Sequence, residues 1–114
     1  PFSAASVGAS GIETLFLMTL ELVHKKIIDL NKAISLVTIN PANVLKMEKP
    51  SLEKDGLADF IIFDENCHDV INQNNLKTSP TPFDRRKIKG KILGTFINGQ
   101  VAHINQILKD KIIK

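Results

Sequence analysis

Gly56-Leu57-Ala58-Asp59-Phe60-Ile61-Ile62-Phe63-Asp64 is the stretch that decides how this 114-residue chain is read. A short apolar run rich in Ile and Phe, bounded by turn residues and punctuated by two aspartates, reads as a buried strand. The Asp55-Gly56 pair before it has the composition of a tight turn with positive φ. Downstream, Ile92, Phe96 and Val101 flank Asn98-Gly99, the strongest short hairpin signal. The expectation is a strand over residues 58–64 with a hairpin over 91–103 beside it. Everything before Glu48 reads as helical and leads into this small sheet.

Upstream, Ser10-Gly11-Ile12-Glu13 has the S-x-x-E form of a capping box. It predicts a helix over 11–26 with Ile12, Leu15, Phe16, Leu20, Val23 and Ile27 on one broad apolar face, widened by Met18 and Leu22. Glu13, Thr14, Glu21, His24 and Lys25 fall on the opposite, polar side. Lys25-Lys26 suits the negative end of the helix dipole. Asp29 caps a second helix over 30–39, with a stripe of Leu30, Ala33, Ile34 and Val37. Asn40 as cap and Pro41 at the first helical position start a third helix over 41–46. Residues 47–54 read as loop, broken by Pro50. Residues 65–69 read as a turn, Val70-Ile71 as a brief edge strand, and 72–84, with Pro80 and Pro82, as a long loop. Ile104, Ile107, Leu108 and Ile112 give the tail the spacing of a short basic amphipathic helix. There is no internal repeat.

Composition bounds the function. Hydrophobic residues make up 43% of the chain, which excludes compositional disorder and suits one domain with a modest core. A formal net charge of +3 is too mild to argue for nucleic acid. The basic run Arg85-Arg86-Lys87 with Lys89 and Lys91 has only Phe83 nearby for base stacking. Its simpler reading is an edge strand protected against aggregation. A single cysteine, Cys67, excludes an internal disulfide and fits a reducing, cytoplasmic compartment. The apolar run Leu15 to Leu20 is far shorter than the ~20 residues of a membrane span. The chain starts at Pro1 without an initiator Met, as a processed chain or a piece of a longer one would.

Chemistry-bearing residues are sparse. His24, His68 and His103 have neither H-x-H nor H-x-x-x-H spacing. His24 reads as a solvated residue on the polar helix face, Cys67-His68 as a surface turn, and His103 as a residue without a partner. Gly8-Ala9-Ser10-Gly11 opens the first helix, where free amides can bind an anion. It lacks the Lys-Ser/Thr of a P-loop and a preceding strand, so a tight turn is the simpler reading. No nucleophile–base pair stands out.

In order along the chain, the motifs resemble the C-terminal portion of a dihydroorotase, within the amidohydrolase superfamily of cyclic amidases. The carriers are Pro1-Phe2 with Gly8-Ala9-Ser10-Gly11-Ile12-Glu13-Thr14, then Thr38-Ile39-Asn40-Pro41-Ala42. Ser51-Leu52-Glu53 with Ala58-Asp59-Phe60-Ile61-Ile62-Phe63-Asp64 is the most specific block. Thr81-Pro82-Phe83-Asp84, Lys89-Gly90-Lys91 and Asn98-Gly99 follow. The resemblance runs to about Val101. Three departures are visible: Ser6-Val7 where the family commonly has Pro before the Gly, a shifted Gly in Asp55-Gly56, and Arg85-Arg86 where a Gly-Trp pair often stands.

The resemblance implies an α/β fold: the C-terminal helices of a metal-dependent (β/α)8 barrel, followed by strands of a small composite β-sandwich domain. A complete barrel needs ~250 residues, so the barrel here would be incomplete. Residues 1–48 would be the helical barrel part, 49–103 the small-domain strands and 104–114 a basic tail. Zinc belongs to the complete family enzyme; its ligands would all lie upstream of Pro1, so the resemblance implies no metal or catalytic residue in this chain and no turnover by it alone. The implied substrate contact is the backbone of Gly8, where absence of a side chain permits close approach. The implied activity of the whole enzyme is interconversion of carbamoyl-aspartate and dihydroorotate in pyrimidine biosynthesis. The alternatives are a dihydropyrimidinase or allantoinase relative, or a non-catalytic module that binds a partner. Expected partners are the N-terminal barrel portion, if separately made, and a second copy; nucleic acid and membrane are not expected.

Overall fold

Asp29 opens the second helix of the chain. The computed structural model describes residues 2–5, 8–48, 51–78 and 80–112. Pro1, Ser6, Val7, Pro50 and the end of the tail, on which readings above fall, lie outside them. Helix α1 spans Leu15–His24, α2 Leu30–Val37 and α3 Ile39–Val44. As expected, the Asp29 side chain accepts from the Lys32 amide at 2.8 Å, satisfying one of the free donors at the start of α2.

The other helix starts differ from the sequence reading. Regular helix in α1 begins at Leu15, because residues 12–14 form a turn closed by the Thr14 amide donating to the Gly11 carbonyl. Ser10 and Glu13 therefore sit outside the helix, and no capping box forms. Helix α3 begins at Ile39 rather than Pro41 and takes Thr38 as its N-cap. Pro41 then occupies the third helical position, still inside the first turn, where a missing amide costs no helical hydrogen bond.

Helices α1 and α3 end alike. The Ile27 amide reaches the Leu22 carbonyl and the Lys26 amide the Val23 carbonyl, with Lys26 at φ 58°. Met47 to Ala42 and Lys46 to Asn43 repeat the arrangement, with Lys46 at φ 54°. Both are Schellman ends carrying Lys where Gly is usual.

The sheet is antiparallel and three-stranded, in the order β1 (Phe60–Val70), β2 (Lys87–Ile97), β3 (Gln100–Ile104). Asn98 and Gly99, at φ 51° and 73°, make the two-residue turn between β2 and β3, as the sequence predicts. Phe60 lies opposite Phe96 and their rings stack at 4.6 Å. The Asn98 amide donates to the Asp59 carboxylate at 2.6 Å, and the Gly99 amide to the Ala58 carbonyl at 3.0 Å.

Strand β1 runs six residues past the expected end. The predicted turn at 65–69 is instead an irregularity inside the strand: Asp64 pairs with Lys91 and His68 with Lys89, so four residues advance against two. The Asp64 carboxylate accepts from the Asn66 amide at 2.8 Å, a local turn bond kept within the strand. Before β1, the positive φ falls on Asp55, at 67°, and not on Gly56. The basic run is not on an edge strand: Lys87 to Lys91 open β2, the middle strand.

Residues 72–78 and 80–84 belong to the expected loop, with one 3-10 turn at Gln73–Asn75. The Ile71 amide donates to the Arg86 carbonyl and the Arg85 amide to the Ile71 carbonyl, which closes the loop at its base. The tail forms helix α4, Gln106–Ile112, and buries Leu108 against Gly94 of β2.

Helix α1 packs on β2 through Leu17, Leu20, Glu21 and His24, an i, i+3, i+4, i+7 stripe. Leu20 is fully buried, and its Cδ1 stands 2.8 Å from where a Cβ on Gly90 would lie. Phe16 meets Phe63 edge to face at 4.9 Å. The expected apolar face is thus only partly used: Ile12, Leu15 and Ile27 are more than half exposed.

Candidate functional site

Gly8, the one residue expected to touch a substrate, lies in an exposed stretch ahead of α1, at φ 150°. A Cβ there would meet nothing within 4 Å, so its conformation rather than crowding by this chain favours glycine. Two residues on, the Ser10 amide donates to the Pro80 carbonyl at 2.8 Å. Glu13 then reaches across to the same distant loop. Its Oε1 accepts from the Lys77 amide at 3.2 Å, and its Oε2 accepts from the amide and the hydroxyl of Thr78, both at 2.6 Å. The Thr78 hydroxyl, then the Thr78 and Lys77 amides, hold the Glu13 carboxyl below the usual carboxylate range.

The sequence reading missed this pairing because S-x-x-E spacing points Glu13 back to its own helix. The partners come from 64 and 65 residues away. The clue that was available is local: Thr14, not Ser10, immediately precedes the long apolar run.

Two more polar residues of the predicted polar face, Glu21 and His24, turn inward. Glu21 receives Arg86 through both carboxylate oxygens, at 2.7 to 3.1 Å, and Lys25 at 2.7 Å. Arg86, then Lys25, pull the Glu21 carboxyl down to about 2. His24, expected to be solvated, is half-buried with Nε2 3.0 Å from the Lys89 carbonyl oxygen, capping a group that β3 does not reach. Arg86, a departure from the family pattern, thus fastens the residue just ahead of β2 to α1. On β1, Asp69 accepts from Lys91 at 2.7 Å, a contact that lowers the Asp69 carboxyl and raises the Lys91 ammonium.

Among the described residues no three His, Cys, Asp or Glu side chains converge to hold a metal ion. His68 lies on β1 opposite Lys89 and His103 on β3 opposite Thr95, both exposed. Cys67 is a half-buried free thiol. The described residues therefore do not fit the zinc of a cyclic amidase. No described helix is long and apolar enough to cross a membrane.

The fold and this sparse site have known counterparts. The sequence pattern of the amidohydrolase family matches residues 4–102, and the chain belongs to that family. Dihydroorotases are among its curated relatives. That of Ehrlichia chaffeensis is 32% identical over 110 residues, 95% of this chain and 25% of the relative. That of Aquifex aeolicus is 35% identical over 101 residues, 87% of this chain and 24% of the relative. A solved structure of D-hydantoinase superposes with a TM-score of 0.77 at 24% identity, over 91% of this chain and 24% of that one, a likeness of fold. The resemblance read from the motifs is borne out. The chain spans about a quarter of the length of the curated relatives it matches.

Proposed function

We propose that this chain is the C-terminal portion of a dihydroorotase-like cyclic amidohydrolase and is not catalytic by itself. In this reading residues 1–48 supply the last barrel helices, 49–103 supply strands of the small composite domain, and 104–114 form a basic tail. The whole enzyme interconverts carbamoyl-aspartate and dihydroorotate in pyrimidine biosynthesis, in the cytoplasm. Zinc in that enzyme is held by residues other than those described. The contribution of this chain to the substrate is the backbone of Gly8.

One observation carries the reading. The helical half leaves Leu15, Ile39, Val44, Leu45 and Met47 exposed, Val44 by 81%. Helices of a finished core bury such residues, and a surface this apolar is a packing face. The partner it fits is the N-terminal portion of the barrel; a homo-oligomer is the other assembly it admits.

The test is complementation. The purified chain is assayed for dihydroorotate hydrolysis alone, with zinc, and mixed with the separately expressed N-terminal three quarters of the Aquifex aeolicus dihydroorotase. Activity is expected only in the mixture, and with dihydroorotate rather than hydantoin or allantoin. Turnover by the chain alone, or a mixture that forms no complex, overturns the proposal.

A further inference from the structure

We propose that Glu13 is a positioning residue for the Gly8 backbone. Its carboxylate clasps Lys77 and Thr78, so the stretch from Gly8 to Glu13 is held against the loop that ends at Thr81. The role of Gly8 itself rests on the function proposed above; the clasp does not.

Gly8, Ala9 and Gly11 are exposed, and an added Cβ at Gly8 or Gly11 would meet nothing within 4 Å. Side-chain packing therefore does not fix this backbone. Two attachments do: the Ser10 amide on the Pro80 carbonyl, and Glu13 on Lys77 and Thr78. They lie three residues apart on one strand of chain and two to three apart on the other, so together they form a two-point clamp. Of the two, only the Glu13 contact has a charged acceptor. It gathers three donors on one carboxylate, and charge-assisted bonds of this kind are about twice as strong as neutral ones. On the far side the loop is anchored by Thr81, which is buried and accepts from the Phe83 amide. On the near side Thr14, 2% exposed, donates its hydroxyl to the Gly11 carbonyl. A rigid frame thus stands at both ends, and Glu13 is the bolt between them.

The carboxylate suits this task better than an amide would. Both of its oxygens accept, and all three partners donate. A Gln at this position presents an NH2 group to donors on one side.

Hydrogen exchange on the chain as it exists is the deciding experiment. In Glu13→Gln and Thr78→Val, the Ser10 and Thr78 amides are expected to exchange about tenfold faster, with amides of β1 and β2 unchanged. Thr78→Ser, which keeps the hydroxyl, is expected to exchange as the native chain does. If Ser10 keeps its protection, or if the β1 and β2 amides accelerate equally, the clasp is overturned as a positioning device. In the complemented enzyme, Glu13→Gln is expected to raise KM about tenfold with kcat within about twofold, the mark of lost binding. A fall in kcat at unchanged KM overturns the role at Gly8. A native mixture without activity sinks the function proposed above, while the exchange data still decide the clasp.

Discussion

The helical half and the sheet half of this chain meet their needs by different means. In the sheet, β1 and β2 satisfy one another's backbone, Phe60 stacks on Phe96, and Leu93 and Ile71 are buried within the chain. In the helices each backbone satisfies itself, but side-chain burial is thin. Leu20, Ala33 and Ala42 are the buried hydrophobics of α1, α2 and α3, while larger residues stay exposed. The lesson is that a hairpin carries most of its partners in its own sequence, whereas an apolar helix depends on a surface supplied from elsewhere. Helix α1 joins the halves through buried Leu20, the Phe16–Phe63 edge contact, the Glu21–Arg86 ion pair and His24.

Breaking that joint gives the largest expected effect. Leu20→Ala is expected to cost about 3 kcal/mol in chemical denaturation, the usual penalty for emptying a filled leucine site. Leu15→Ala, on the exposed side of the same helix, is expected to change stability by less than about 0.5 kcal/mol. Equal costs for the two would erase the contrast between the faces. Gly90→Ala attacks the joint from the strand. A Cβ there would lie 2.8 Å from Leu20 Cδ1 on a backbone at φ 136°, and a loss of about 2 kcal/mol is expected.

The Glu21–Arg86 pair sharpens the comparison through pH. The folded carboxyl lies at about 2, below its ordinary value. A depressed folded pKa means the pair stabilises above the unfolded pKa, and its contribution is lost as pH falls through about 2. Because the pair is partly exposed to solvent and screened, Glu21→Gln is expected to cost only about 1 kcal/mol at pH 7. A pH series of urea melts should show native and variant chains converging near pH 2. One expected effect is a gain. Lys26→Gly removes a side chain from a left-handed Schellman position and should raise stability by about 0.5 kcal/mol, read as a higher melting temperature.

The sequence was most legible where one local interaction decides the structure. Asn98-Gly99 needs positive φ at both residues, and Asp29 needs only the Lys32 amide, so both were readable. The length of β1 was not. Asp64, Glu65 and Asn66 have turn chemistry, and the turn bond does form, but Lys89 and Lys91 continue the ladder around it. The orientation of α1 was hidden for another reason. Apolar residues occur almost all round it, so periodicity alone does not choose a face. The choice is made by Arg86, Lys89 and Gly90, which lie some 65 residues away and select Leu20, Glu21 and His24. At the candidate site Gly8 was visible as a glycine in a loop, and Glu13 as a carboxylate. Its task depended on Thr78, which no spacing rule connects to it.

The two-residue slip in β1 has a consequence for solubility. Among the described residues β1 has a neighbour on one side only. Its second half carries the slip together with Asp64, Glu65 and Asp69, and bends and charges of this kind make a strand a poor template for stacking. Its first half, Phe60-Ile61-Ile62-Phe63, is uncharged and of high β-propensity, and the extra residue at its one register shift, between Ile62 and Phe63, falls on β2. Self-association into fibrils has a starting point in this four-residue run, and a single lysine in place of Ile61, which is 40% exposed, would close it.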